Sequence, residues 1–219
     1  MRQRVTFSIE GSLLKRLDQL VDGIQIRNRS HALEVVLEKL LGADVFILVN
    51  SKKELQDAKE RAQWAKDQGF NPVFVAPAGV MAGECIVDPG KGTAAAIRIL
   101  QPRTKHVFVV IYSDAPKIDV HDMLRFHHRQ GGIATLAVTS TTDPKNFGVV
   151  KMRGVNVTEF VEKPKKAESY LVSAGIFIFD PEIFKYIAPD ANSLEHNVLN
   201  NLAQNGLLNG YLFEGLLNV

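Results

Sequence analysis

The chain has 219 residues, of which 46% are hydrophobic and 23% charged, with a formal net charge of +2. This is the composition of an ordinary globular protein with one sizeable core and room for a small second module. No apolar run reaches the roughly 18 residues of a membrane span, and the N-terminus lacks the apolar core of a signal peptide. A cytoplasmic protein with no membrane partner is therefore expected. The single cysteine, Cys85, excludes an internal disulfide and a cysteine-cluster zinc site. The six histidines are scattered. His127 and His128 adjoin in a predicted helix, point in different directions and read as surface residues. Residues 1–42 hold seven Lys/Arg against five Asp/Glu, and the remainder is balanced at 19 of each. The basic surplus sits at the N-terminus.

Met1 to Ile9, MRQRVTFSI, alternates strictly, with Val5, Phe7 and Ile9 on one face and Arg2, Arg4, Thr6 and Ser8 on the other, which predicts a half-buried strand. The period then changes. Leu13, Leu14, Leu17, Leu20 and Val21 follow helical spacing up to Gly23, and Leu33, Val36, Leu37, Leu40 and Leu41 repeat it up to Gly42. Asn28 is placed to cap the second helix, with Arg29, Ser30 and His31 in its first turn.

One strand and two short helices cannot make a stable monomer, because the strand leaves its backbone unpaired and the core is too small. Pairing two copies of the strand into an antiparallel ribbon would solve both problems. Such a ribbon fits the major groove of DNA, where arginine can donate to guanine, and the helix start around Arg29 and Ser30 would take a phosphate. Residues 1–42 closely resemble the ribbon-helix-helix family of DNA-binding proteins. That resemblance implies a homodimer, extendable to a tetramer, on a double-stranded DNA operator, with Arg2, Arg4, Thr6, Ser8, Asn28, Arg29 and Ser30 at the interface. A dimerisation ribbon that touches no DNA is the plainer alternative.

From Ala43 strands and helices alternate. DVFILV (44–49) reads as a buried strand, KKELQDAKERAQWAKDQGF as an amphipathic helix ending at Gly69, and PVFVA as a second strand. HVFVVIY (106–112), VHDMLRFHHRQGG and IATLAVT repeat strand, helix, strand, and Val157–Phe177 reads as two strands joined by a short basic loop. The succession predicts an α/β layered domain with a mostly parallel sheet. Ligands in such folds bind at the carboxyl ends of strands, where Asp114 falls.

Six motifs follow in order: GKGTAAAIRIL (90–100), VFVVIYSDAP (107–116), GGIATLAVTSTTDPKNFGVV (131–150), VTEFVEKP (157–164), YLVSAGIFIFDPEIF (170–184) and SLEHNVLNNLAQNGLLNGYLFEG (193–215). Together they resemble the nucleotidyltransferase domain of the sugar-1-phosphate nucleotidylyltransferases over about Asp44 to Val219. The resemblance implies a Rossmann-like domain with a mixed, mostly parallel sheet. It implies Gly92 and Thr93 beside the nucleotide base, Asp114 on catalytic magnesium, and Gly148 beside the sugar. Glu162 and Lys163 would bind sugar hydroxyl and sugar phosphate, and Ser173 and Gly175 stand where the family has Asn-Ala-Gly. The residue types suit these roles, since a carboxylate is a hard oxygen ligand for magnesium and lysine a point charge for phosphate.

Departures accompany the match. The family opens with G-G-x-G-T-R-L and a Pro-Lys that together hold the nucleoside triphosphate, and this sequence has neither before DVFILV. Asn218 stands where the family has a second magnesium-binding aspartate, and Ser113 replaces the glycine before Asp114. These features lead to a first reading: a DNA-binding transcriptional repressor (residues 1–42) fused to a catalytically degenerate domain (43–219) used for ligand sensing or assembly. That reading assigns no catalytic residue and requires no cofactor; magnesium at Asp114 enters only where nucleotide binding persists. Its ligand would be a nucleotide, sugar phosphate or nucleotide sugar. The second reading is an active sugar-1-phosphate nucleotidyltransferase with an N-terminal dimerisation or autoregulatory module.

Overall fold

The computed structural model of the chain describes residues 6, 8–24, 26–33, 36, 43–81 and 83–216. It divides into two compact units, Met1–Gly42 and Ala43–Val219. Among the described residues no helix is long and apolar enough to cross a membrane.

In the first unit, α1 spans Gly11–Asp18. A second helix, α2, begins at residue 29, and residues 29–33 and 36 are helical. Asn28 caps it: its side-chain oxygen accepts from the His31 amide at 3.0 Å, and its carbonyl from the Ala32 amide at 2.8 Å. Between the helices, Asp22 Oδ1 accepts from the Ile24 and Ile26 amides, both at 2.8 Å, around the left-handed Gly23.

The DNA-reading surface expected here is corrected on several points. Thr6 and Ser8 are exposed and belong to no strand. Arg2, Arg4, Val5 and Phe7, and with them most of the ribbon through which a dimer or tetramer was expected, lie outside the described residues. Arg29 is engaged within the chain, its guanidinium forming a two-pronged pair with Asp18 at 2.5 and 2.8 Å. The Asn28 oxygen takes the His31 amide that a phosphate would need, and Ser30 is left as an exposed residue of the first turn.

The second unit is built on a nine-stranded sheet. Its strands are β1 (Asp44–Leu48), β2 (Pro72–Pro77), β3 (Ile86–Asp88), β4 (Phe108–Tyr112), β5 (Ala134–Ser140), β6 (Gly148–Arg153), β7 (Asn156–Glu162), β8 (Leu171–Phe179) and β9 (Leu208–Leu216), in spatial order β3-β2-β1-β4-β8-β5-β9-β7-β6. Strands β3, β2, β1 and β4 run parallel, and β5 and β9 pair parallel. Strand β8 is antiparallel to both neighbours, and β6 and β7 form an antiparallel hairpin. The sheet is therefore mixed, as the resemblance implied, but not mostly parallel, since β8 and the β6–β7 hairpin pair antiparallel. A strand buried on both faces carries the same apolar run in either direction, so its sense was not encoded in its pattern.

Alternation sorts the apolar residues into two cores. Phe46, Phe108, Val110, Leu136, Phe177 and Phe179 face one side, where α4 (Thr93–Arg98), a π-helical turn (Glu195–Leu199) and α6 (Asn200–Gln204) cover them. Val45, Ile47, Val109, Ile111, Ile176 and Ile178 face the other, under α3 (Leu55–Asp67) and α5 (Val120–Gln130). On the first face, rings pack around Phe108, with Phe179 and Phe184 centred 5.5 and 5.6 Å away.

His127, expected at the surface, lies in this second layer only 3% exposed, with Nδ1 2.8 Å from Thr135 Oγ1. Burial holds its pKa down, from 6.5 to about 4. The unfolded chain therefore takes up a proton that the folded one refuses, and this site's contribution to stability is full above pH 6.5 and lost as pH falls toward 4. Denaturant titrations of the wild type and His127→Asn should show a stability difference that shrinks across this window. A difference that does not change with pH would contradict the assignment.

Candidate active site

The site forms where β1 and β4 leave the sheet. Strand β4 is sealed on both faces as far as Ile111, so polar side chains first appear at Tyr112, Ser113 and Asp114. The turn is closed by the Ala115 amide bonding the Tyr112 carbonyl at 3.0 Å, and Arg61 of α3 donates to the Ala115 carbonyl. Glu54, after β1, ties the two exits together: its carboxylate accepts from Ser113 Oγ at 2.9 Å, the Asn50 amide at 2.9 Å and Ser51 Oγ at 3.1 Å.

The β6–β7 hairpin supplies the facing wall, with Gly148 registered opposite Glu162. A Cβ on Gly148 would stand 2.3 Å from the Phe160 ring and 3.0 Å from Glu162 Oε2, so a side chain there would displace the carboxylate. Lys163 adopts φ 43°, a left-handed conformation unusual for lysine, and its amide bonds the Phe147 carbonyl at 3.0 Å. Its ammonium lies 3.8 Å from Glu162 Oε1 and remains largely in solvent. Gly175, at φ 73°, lets β8 pass close to Tyr112, where a Cβ would come within 3.2 Å of the Tyr112 Cβ.

Two cavities adjoin here. The smaller, about 190 Å³, is lined by Asp114, Gly148, Glu162, Lys163, Ser173 and Gly175 over an aromatic floor of Tyr112, Phe147, Phe160 and Phe177. The larger, about 570 Å³, is lined by Gly92, Thr93, Asn50, Glu54, Asn192, Ser193 and His196, and it shares Tyr112, Asp114, Glu162, Lys163 and Glu195 with the first. All eight ligand residues named from the sequence thus line one or other cavity.

Glu195, Tyr112, Glu54, Asn50 and His196 were not singled out. Glu195 sits inside the quoted SLEHN run, but no spacing rule separates it from a surface carboxylate at a helix start. Gly92 carries φ 92° and begins α4 so close to Asn192 that a Cβ would fall 2.1 Å from its carbonyl oxygen.

Electrostatics follow from burial. Desolvation first, then the charge of Glu195, raise the Glu162 carboxyl above the ordinary carboxylate range, opposed by Lys163 and His196. The Tyr112 hydroxyl is pushed well above its usual value by burial and by Glu195, so it stays a neutral donor. Among the described residues no cluster of three or more His, Cys, Asp and Glu is arranged to hold a metal. Asp114 presents a single exposed carboxylate at the mouth shared by both cavities, while Asn218 lies outside the described residues.

Fold and site together define an α/β protein with a cavity of polar lining and aromatic floor at a strand-end crevice. The sequence profile described as Nucleotidyl transferase matches residues 24–213, and the chain belongs to that family. It is 32% identical over 127 residues to the catalytic subunit beta of mannose-1-phosphate guanylyltransferase from Danio rerio, covering 57% of this chain and 35% of that one. With the Dictyostelium discoideum subunit of the same name the identity is 34% over 96 residues, covering 43% and 27%. The chain thus spans about a third of the length of these relatives. In fold it is similar to the crystal structure of HddC from Yersinia pseudotuberculosis, with TM-score 0.62 at 16% identity, covering 78% of this chain and 90% of that one.

These findings overturn the first reading from the sequence. The family match begins at residue 24, inside the segment assigned to DNA recognition, and the named relatives are nucleotidyl-transferring enzymes. The DNA-binding repressor, its operator partner and the catalytically degenerate domain are accordingly withdrawn.

Replacing Gly148 by alanine should force the Phe160 ring and Glu162 aside, costing about 1–3 kcal/mol of stability as other overpacked cores do. Unfolding in denaturant measures this, and an unchanged midpoint would show that the wall yields freely.

Proposed function

We propose that the unit Ala43–Val219 is a sugar-1-phosphate nucleotidyltransferase, with a hexose 1-phosphate in the smaller cavity and a nucleoside triphosphate in the larger. The observation that carries this reading is the meeting of Glu162, Lys163, Gly148 and Gly175 over an aromatic floor, beside a second cavity reached through Asp114. The names of the relatives favour mannose 1-phosphate and GTP as substrates.

In the reaction, a phosphate oxygen of the sugar phosphate attacks the α-phosphorus of the triphosphate. The bond from that phosphorus to the bridging oxygen breaks, and pyrophosphate leaves. Lys163 holds the sugar phosphate by charge, and Glu162 accepts from sugar hydroxyls. The aromatic floor of Tyr112, Phe160 and Phe177 meets the apolar face of the ring. Positioning of this kind supplies much of the acceleration in phosphoryl-type transfer.

Magnesium commonly takes one or two carboxylates and completes its shell with phosphate oxygens and water, so the exposed carboxylate of Asp114 fits as its protein ligand. When bound, it would neutralise charge on the phosphate oxygens. With no G-G-x-G-T-R-L loop ahead of β1, Lys163 is the one lysine or arginine among the described residues lining the two cavities.

Pyrophosphate release should be measured with magnesium, GTP and mannose 1-phosphate, and with glucose 1-phosphate and the other triphosphates as alternatives. Asp114→Ala is expected to lower kcat about 100-fold or more. Lys163→Ala is expected to raise KM for the sugar phosphate about tenfold through loss of a charge-assisted bond. Absence of release with every pair, or full activity of Asp114→Ala, would contradict the proposal.

A further inference from the structure

The Glu195 carboxylate accepts hydroxyl hydrogen bonds from three separate places in the fold. Tyr112, at the end of β4, donates to Oε1 at 2.5 Å. Thr93, the first residue of α4, donates to Oε2 at 2.7 Å, and Ser193 donates to the same oxygen at 2.9 Å. Two of these donors are themselves oriented, since Thr93 Oγ1 accepts from the Leu194 amide at 2.9 Å and Ser193 Oγ from the His196 amide at 3.1 Å. Glu195 opens the π-helical turn, a rare backbone form that recurs at functional sites.

We propose that Glu195 is a positioning residue for both substrates, fixing Tyr112 in the wall that the two cavities share and Thr93 in the wall of the nucleotide-side cavity. The chemistry is directional. A hydroxyl proton normally rotates to suit its surroundings, but an ionised carboxylate can only accept, so it draws all three protons to itself. The Tyr112 oxygen then turns its lone pairs outward, and Thr93 keeps one lone pair beside the one taken by the Leu194 amide. Tyr112 meets the sugar as an acceptor, beside the acceptor Glu162, and this end of the cavity selects a ligand that presents hydroxyl donors. Thr93 does the same on the nucleotide side. One carboxylate thereby sets the polarity of both walls and ties the start of α4 to the end of β4.

The inference rests on the transferase reading for the identity of its ligands, so binding and turnover are measured separately. Titration calorimetry of the full chain with magnesium, using mannose 1-phosphate and GTP in separate experiments, gives a Kd for each. Glu195→Ala is expected to weaken both by about tenfold, the scale of a lost charge-assisted bond. Glu195→Gln, which keeps an acceptor oxygen for Tyr112 but donates an amide to Thr93 and Ser193 and so turns their protons outward, should recover mannose 1-phosphate binding and leave GTP weakened. Tyr112→Phe, in the shared wall, should weaken mannose 1-phosphate more than GTP, and Thr93→Val should weaken GTP alone.

This split is the decisive readout, and it stands even where Glu195→Ala fails to fold. Unchanged affinities in all variants, equal loss of both ligands in Tyr112→Phe and Thr93→Val, or Glu195→Gln as weak as Glu195→Ala toward mannose 1-phosphate would each overturn the proposal. A wild type that binds both ligands but releases no pyrophosphate defeats the transferase reading and leaves the positioning role to be judged on the Kd values. A wild type that binds neither defeats both.

Discussion

Burial of β4 on both faces is the constraint from which the site follows. Phe108 to Ile111 are fully enclosed between two helical layers, so no polar group can be accommodated along the strand without an internal partner. Chemistry must therefore wait for the strand's exit, at Tyr112 to Asp114. Because β8 runs antiparallel against β4, with Ile111 opposite Ile176, the early part of β8 arrives at that same exit. Ser173 and Gly175 are thus delivered beside Asp114 by register alone. A parallel β8 would have brought its carboxyl end there instead.

The opposite wall depends on backbone shape more than on side-chain chemistry. Gly148 leaves room for the Phe160 ring and the Glu162 carboxylate, and the left-handed turn at Lys163 sends its side chain away from the direction a regular strand would give. The outcome is a half-buried acid beside a largely exposed base, separated by one peptide bond and 3.8 Å of space. Burial makes the acid reluctant to ionise, while solvent keeps the lysine free to meet a phosphate. In the proposed complex the pair would hold opposite ends of one ligand.

Much of the second unit was legible in the sequence because its strands are sealed on both faces and so appear as unbroken apolar runs, such as VFVVIY and IFIF. Strand direction was not legible, since burial alone sets those runs, and the three-residue edge strand β3 is too short to show a period. The glycines and acids of the site came from motif order. Glu195 stayed hidden because its role lies in hydrogen bonds to residues about 80 and 100 positions away in the chain. In the first unit, the Asn28 cap was readable from local chemistry. The alternation of MRQRVTFSI could not by itself say what its polar face meets, and the DNA reading built on it gave way to the relationship with nucleotidyl-transferring enzymes.

The central claim is that one strand-end cavity holds a sugar phosphate between Glu162 and Lys163. A crystal structure of the chain with mannose 1-phosphate tests it most directly. The account predicts the pyranose over the aromatic floor beside Gly148 and Gly175, its hydroxyls on Glu162 and its phosphate on the Lys163 ammonium. A sugar phosphate bound elsewhere, or lying in this cavity with its phosphate turned away from Lys163, would contradict it.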